Sequence, residues 1–172
     1  LVLPAMVDSH LHLDKSMVGL PWYPHAAGPD RQSRIDTEKE IRDNLPLSVA
    51  DRAGNLIERL VVHGTGYCRT HVDVDPELGY SSIEGVLEAR DRYRDAVSIQ
   101  IVAFPQSGVL ACPGTLEVME AALSNGADLL GGIDPAGIDG DVAGQLDAIF
   151  GLAEKHGVGI DIHLHDGGET GA

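Results

Sequence analysis

Two short segments of the sequence place histidines at alternate positions. His10 and His12 are separated by one residue near the start of the chain, and Asp161, His163 and His165 alternate with apolar residues near its end. Alternate residues of a β-strand point to the same face, so each segment would present its polar side chains together. Neutral imidazole is a common ligand of Zn²⁺ and Fe²⁺. The two segments together predict a metal site.

The second segment is the more specific signal. A single pair of alternate histidines is also typical of hydrogen-bonded or exposed strand residues. Three polar residues on one strand face are costly to bury unless something charged or polar lies beside them. A metal ion with an open coordination position would satisfy them, and it lowers the pKa of its bound water to about 7.

The rest of the sequence alternates short apolar runs with amphipathic stretches, which is typical of βα units and a parallel sheet. We predict strands at Met6–His10, Tyr67–Val74, Ala96–Phe104, Leu129–Ile133 and Gly159–His165. We predict helices at Arg34–Asn44, Ser48–His63, Ser82–Tyr93, Thr115–Ser124 and Asp141–His156. The periodicity of the last helix predicts an inward face formed by Val142, Leu146, Ile149, Phe150 and Ala153.

Five consecutive βα units fit either an open doubly wound sheet or part of a (β/α)₈ barrel. The ends of the predicted strands carry polar residues, namely His10, His12, His71, Asp73, Gln106, Asp134, His163, His165 and Asp166. Chemistry in (β/α)₈ barrels gathers at the carboxyl ends of the strands. The pattern therefore favours an α/β fold that is a partial (β/α)₈ TIM barrel with parallel strands, comprising about the first five units.

The composition narrows the classes of partner. A net charge of −15 disfavours binding to nucleic acid or to an anionic membrane surface. No apolar run approaches the ~20 residues that a membrane span needs. Cys68 and Cys112 are too few and too far apart for a disulfide framework or a CxxC metal site, so we expect a cytoplasmic protein.

Four segments resemble the amidohydrolase superfamily, in its cytosine deaminase-like branch. They are Val7–Lys15, Arg69–Val74, Gln100–Gln106 and Asp161–His163, in the order and at the spacing of that branch. The resemblance covers almost the whole chain. It implies that residues 1–172 are the N-terminal portion of a metal-dependent amidohydrolase barrel domain.

The resemblance also implies a ligand set. His10, His12 and His163 fall at the family's metal-binding positions and would hold one divalent ion, Zn²⁺ or Fe²⁺. Binuclear members bridge two metals with a carboxylated lysine on the fourth strand, and no lysine lies between Lys39 and Lys155. The family further uses a histidine of the sixth strand and an aspartate of the eighth, and neither strand is among these 172 residues.

Several positions match the family's substrate side of the site. Gln106 falls where the family contacts the amide-like edge of a substrate ring, and a carboxamide both donates and accepts hydrogen bonds. The alternative for Gln106 is a hydrogen bond to the backbone at a strand end. Trp22, in the long loop after the first strand, would either cap the pocket or anchor the surface. His71 and Asp73 would border the pocket or support the barrel interior.

Asp166 is the predicted proton shuttle. It lies three residues after His163, where cytosine deaminase has a glutamate with that role, and Glu169 is the alternative. The fourth-strand segment Gly131–Gly137 differs from the cytosine deaminase pattern, which leaves the substrate open.

The sequence thus predicts a hydrolase of non-peptide C–N bonds that deaminates or deamidates a cyclic amidine or nitrogen heterocycle. The alternatives are an N-alkyl triazine or cyclic amide hydrolase on the same metal site, or a truncated, non-catalytic metal-binding barrel. The partner would be a small heterocyclic molecule. Because the first and fifth strands would have unpaired edges, we expect a homo-oligomer or association with the missing part of the barrel, and no activity from the 172 residues alone.

Overall fold

Five parallel strands form one sheet in the computed structural model, which describes residues 2–24, 26–42 and 44–171. The strands lie side by side in chain order. They are β1 (Met6–Leu11), β2 (Thr65–Asp73), β3 (Ser98–Phe104), β4 (Leu129–Ile133) and β5 (Gly159–His163). All five predicted strands are therefore confirmed, with small differences at their ends.

Five α-helices lie in the connections between the strands, two of them between β1 and β2 and one in each later connection. They are α1 (Arg31–Arg42), α2 (Val49–Val62), α3 (Ser81–Arg92), α4 (Thr115–Ser124) and α5 (Val142–His156). The start of α2 follows from a cap, because the Ser48 side chain accepts a hydrogen bond from the backbone N–H of Asp51 at 3.1 Å. Within the described ranges, every helix is too short or too polar to cross a membrane.

The sheet curls into a half-barrel. Its strand order never reverses, whereas a doubly wound sheet needs a switch point. In a flat sheet β1 and β5 would be about 19 Å apart, since neighbouring strands are spaced by about 4.8 Å. Instead, Nε2 of His12 and Nε2 of His163 are 3.3 Å apart. The prediction of a partial (β/α)₈ barrel is confirmed.

Residues alternate between two environments along β2 and β3. Cys68, Val72 and Ile101 belong to a core shared with α2 to α5. The intervening residues, Arg69 and His71 among them, contact side chains of β5 across the concave face. Strand alternation thus gives the half-barrel an apolar outside and a polar inside.

The predicted inward face of α5 is wrong in part. Val142 and Phe150 are 47% and 57% exposed, while Gln145 is fully buried. The Gln145 amide donates hydrogen bonds to the carbonyl of Ile133 at 3.0 Å and to Oδ2 of Asp139 at 2.7 Å. Because these bonds satisfy the NH₂ group of the amide, a polar residue occupies the face where an apolar pattern was expected.

Two strands approach closely at a glycine of β4. A Cβ added at Gly131 would lie 2.9 Å from the carbonyl oxygen of Ala103 and 3.1 Å from Cα of Phe104. Both contacts are with backbone, so they cannot be relieved by a side-chain rotation. The absence of a side chain at Gly131 lets β4 pack directly against Phe104 of β3.

We predict that Gly131→Ala lowers the free energy of unfolding by about 1–3 kcal/mol, because the added methyl group overpacks the β3–β4 contact. Gly151→Ala is the matched control, since nothing lies within 4 Å of a Cβ at that helical position. It should be neutral or stabilise by up to about 1 kcal/mol. Urea unfolding of the full-length protein measures both, and equal effects would contradict the packing argument.

Candidate metal centre

Four imidazoles converge inside the half-barrel. His10 lies on β1, His12 just after it, His71 on β2 and His163 at the end of β5. One ring nitrogen of each lies within 4.8 Å of those of the others. The structure therefore brings together His10, His12 and His163, and it adds His71. The assignment of particular residues as ligands stays a prediction.

Burial lowers the pKa of three of these imidazoles, those of His12, His71 and His163, and so favours their neutral form. Burial lowers the pKa of His12 to about 3, helped by the nearby charge of Lys15. Burial likewise lowers the pKa of His163 to about 4, helped by His71, and lowers that of His71 itself. The Nδ1 atoms of His12, His71 and His163 are buried without a hydrogen-bond partner in the described part of the chain. Neutral imidazoles with open lone pairs are the form that binds a metal ion, so this donor set fits one.

His71 is tied to a carboxylate on the opposite strand. Its Nε2 lies 3.3 Å from Oδ1 of Asp161, and Oδ2 of Asp161 accepts a hydrogen bond from Nη1 of Arg69 at 2.6 Å. Burial alone would raise the pKa of Asp161, but the Arg69 hydrogen bond and His71 bring it below its usual range. A carboxylate that orients an imidazole is a common arrangement around metal sites. The signal for this network is the alternation of Arg69, His71 and Asp73 along one strand.

A cavity of about 430 Å³ opens beside the histidines. His12 and His163 form part of its wall together with Lys15, Glu38, Phe104, Gln106 and His165. Gln106 thus lines the same cavity as His12 and His163, and its role as a substrate contact stays a prediction. Its Nε2 donates a hydrogen bond to Oε2 of Glu38 at 3.3 Å, so it is not bonded only to the backbone.

Lys15 and Glu38 are cavity residues that the sequence did not reveal. Nζ of Lys15 lies 3.0 Å from Oε1 of Glu38 and 3.0 Å from Oδ1 of Asp73. Burial alone would lower the pKa of Lys15, but Asp73 and Glu38 raise it above its usual range. Lys15 is the last residue of the segment Val7–Lys15, so its place beside the histidines could have been predicted from the sequence. Glu38 lies on α1 with no comparable pattern.

Asp166 is not among the residues that line the cavity. Its Oδ2 accepts a hydrogen bond from the backbone N–H of Ala136 at 2.9 Å. In return, Oδ1 of Asp134 accepts from the backbone N–H groups of His165 and Asp166. Asp134 has a φ of 33°, a left-handed conformation that is uncommon for a residue other than glycine. These hydrogen bonds join the turns after β4 and β5 and hold the Asp166 carboxylate in place.

The structure does not bring the other two predicted residues to the cavity. Trp22 is 85% exposed and is not among the residues that line the cavity, and Glu169 is exposed on the turn after β5. The roles of Asp166 and Trp22 therefore stay predictions.

Comparisons with known proteins give consistent relatives. The chain is 38% identical over 178 residues to N-isopropylammelide isopropyl amidohydrolase of Pseudomonas sp. (strain ADP), an alignment that covers 99% of this chain and 43% of that protein. The crystal structure of N-isopropylammelide isopropylaminohydrolase from Burkholderia multivorans ATCC 17616 matches with a TM-score of 0.92 and 45% identity, over 98% of this chain and 42% of that one.

A third match is more distant. The crystal structure of 5-methylcytosine deaminase from Klebsiella pneumoniae, liganded with 5-fluorocytosine, has a TM-score of 0.76 and 30% identity, over 93% of this chain and 39% of that one. No protein-family model matches the chain. The chain spans less than half the length of each of these relatives.

We predict that Asp161→Ala destabilises the full-length protein by about 1–3 kcal/mol, because it leaves Nη1 of Arg69 without its acceptor and removes the carboxylate beside Nε2 of His71. The low end applies, since the Arg69 and Asp161 side chains are 36% and 23% exposed. Glu88→Ala is the control. It removes the Glu88–Arg92 pair on the surface of α3 and should cost under about 0.5 kcal/mol. Denaturant unfolding measures both, and equal losses would show that Asp161 supports nothing special.

Proposed function

The chain is a relative of the amidohydrolase superfamily, and from this premise we propose that the protein is a metal-dependent hydrolase of C–N bonds in nitrogen heterocycles. The observation that supports this most is the convergence of four imidazoles from β1 and its extension, β2 and β5 beside a cavity that contains Gln106. N-isopropylammelide, which the names of two relatives carry, is the first candidate substrate. Removal of its alkylamino group is a hydrolysis of that kind.

Three histidines would hold the metal. His10 and His12 share a face of β1 and its extension, and His163 reaches them from β5. Imidazole ligands suit Zn²⁺ or Fe²⁺. When bound, such an ion supplies a Lewis acid and lowers the pKa of a coordinated water. His71 packs on His10 and His163, with ring centroids 4.6 and 4.4 Å away, and would hold both in place.

The remaining side chains would bind the ring and move protons. Gln106 would hydrogen-bond the polar edge of the ring through its carboxamide, a group that can both donate and accept. Phe104, whose ring lies 4.2 Å from that of His163, gives the cavity an apolar wall. Asp166 would carry a proton after turning from Ala136 toward the cavity, and Trp22 would cover the opening once a ligand is bound.

A second candidate function is deamination of an aminopyrimidine. The match to 5-methylcytosine deaminase favours it, because that structure holds 5-fluorocytosine. Both candidates use the same imidazoles and differ in the leaving amine. They are separated by the product that is released.

We also propose that residues 1–172 are the N-terminal portion of a barrel domain. Among the described residues, β1 pairs only with β2 and β5 pairs only with β4, so each has an unpaired edge. Further strands of the same protein, or a second copy, would cover these edges. The 172 residues alone should therefore associate and show no turnover.

The full-length protein should release isopropylamine from N-isopropylammelide and contain close to one equivalent of Zn²⁺ or Fe²⁺. His163→Ala should lower metal affinity by at least about 10–100-fold and abolish turnover. His63→Ala is the control, since His63 is exposed and its Nδ1 lies 2.7 Å from the carbonyl oxygen of Arg59. Elemental analysis and product detection check both. Full metal content in the His163→Ala variant would contradict the site, and ammonia release from 5-methylcytosine alone would favour the second candidate.

Asp166→Asn should reduce kcat on the order of 10²-fold or more with metal retained, because it keeps the shape of the side chain and removes the base. Glu169→Gln is the comparison variant on the same turn and should leave kcat near the wild-type value. If Glu169→Gln abolishes turnover and Asp166→Asn does not, Glu169 is the proton carrier. Steady-state kinetics with parallel metal analysis decides between them.

A further inference from the structure

One face of α1 forms a wall of the cavity that holds Gln106. Arg34, Ile35 and Glu38, at the spacing of a single helical face, all line it. Ile35 is buried and anchors the helix. Neighbouring polar residues then fasten α1 to the turn after β3: Glu38 contacts Gln106, and Nζ of Lys39 donates to Oγ of Ser107 at 2.9 Å.

We propose that Glu38 is a positioning residue that fixes which atoms of Gln106 and Lys15 face the ligand, and so contributes to the choice of ring. This inference rests on the function proposed above. Glu38 is paired with the ammonium of Lys15, and a carboxylate accepts hydrogen bonds but cannot donate them. It therefore draws the NH₂ group of Gln106 toward itself. Oε1 of Gln106 is left to accept a hydrogen bond from a ring N–H.

The same carboxylate sets the position of a donor. Its Oε1 and Oδ1 of Asp73 each lie 3.0 Å from Nζ of Lys15 and hold the ammonium between them. One wall of the cavity thus presents a cationic donor and an amide acceptor whose relative places both depend on Glu38. That pair suits a ring edge on which a carbonyl lies beside an N–H. A ring that lacks the carbonyl or the N–H could not bond to both Lys15 and Gln106, so the site would not favour it.

The test uses the full-length, metal-loaded protein with N-isopropylammelide as the probe. Glu38→Ala should raise KM about tenfold and change kcat less, because it removes an orientation of the ligand-binding groups and not a reacting group. In a Gln106→Ala background the same change should raise KM by clearly less than tenfold, because one of the two partners through which Glu38 acts is absent and only Lys15 remains. Such a coupling is not expected of a residue that only stabilises the fold.

Two controls separate positioning from anchoring. Glu40→Ala removes an exposed carboxylate from the same helix and should leave KM unchanged. Lys39→Ala loosens α1 at the neighbouring contact with Ser107 and should not raise KM comparably. If Lys39→Ala reproduces the Glu38→Ala kinetics, or if the Glu38 and Gln106 effects are additive, Glu38 is only an anchor and the proposal is wrong.

Crystal structures of the full-length Glu38→Ala and Glu40→Ala variants give a readout that does not need turnover. Gln106 should leave its observed orientation in the first variant and keep it in the second. An unchanged Gln106 in Glu38→Ala overturns the inference even if the protein is an active hydrolase. A protein that contains no metal and hydrolyses neither N-isopropylammelide nor 5-methylcytosine overturns the proposed function instead. The positioning of Gln106 is still decided by these structures.

Discussion

Nε2 of His12 and Nε2 of His163 face each other across 3.3 Å although their strands lie at opposite edges of the sheet. The contact exists because successive parallel strands, each backed by a helix, coil in one direction until the two edges approach. Close packing at β4 contributes, since Gly131 lets β4 lie directly against Phe104 of β3. Two neutral imidazole nitrogens at this distance can share at most one proton, so a cluster of four gains from a cation between them.

The polar interior extends on both sides of the histidines. On one side Arg69 and Asp161 hold His71, and on the other Asp73 and Glu38 hold Lys15. Such networks seldom add stability, because charges lose hydration when they are enclosed. Their presence inside a barrel is better explained by what they position. The imidazoles come from the strands or their ends, whereas Glu38 comes from α1. Metal binding and ring selection would thus depend on different elements of the chain.

The sequence was informative where its period matches that of a strand. The alternation predicted that His10 and His12 share one face of their strand and that Asp161 and His163 share one face of theirs. The fold then brings the two faces together. Nothing comparable exists for Glu38, because it reaches the cavity through the tertiary placement of α1. Gln145 is buried by two hydrogen bonds that no apolar pattern reveals. The direction of the Asp166 carboxylate depends on the left-handed backbone of Asp134, which sequence spacing does not encode.

We propose that imidazoles of this half-barrel bind a divalent metal ion. X-ray absorption at the metal edge of the purified full-length protein is the test of this binding. We expect a shell of nitrogen and oxygen atoms at about 2.0–2.2 Å with the outer-shell scattering of at least three imidazoles. If the His163→Ala variant retains metal, its outer-shell scattering should correspond to two imidazoles or fewer. A metal surrounded only by oxygen, or a spectrum unchanged by His163→Ala, would contradict the account.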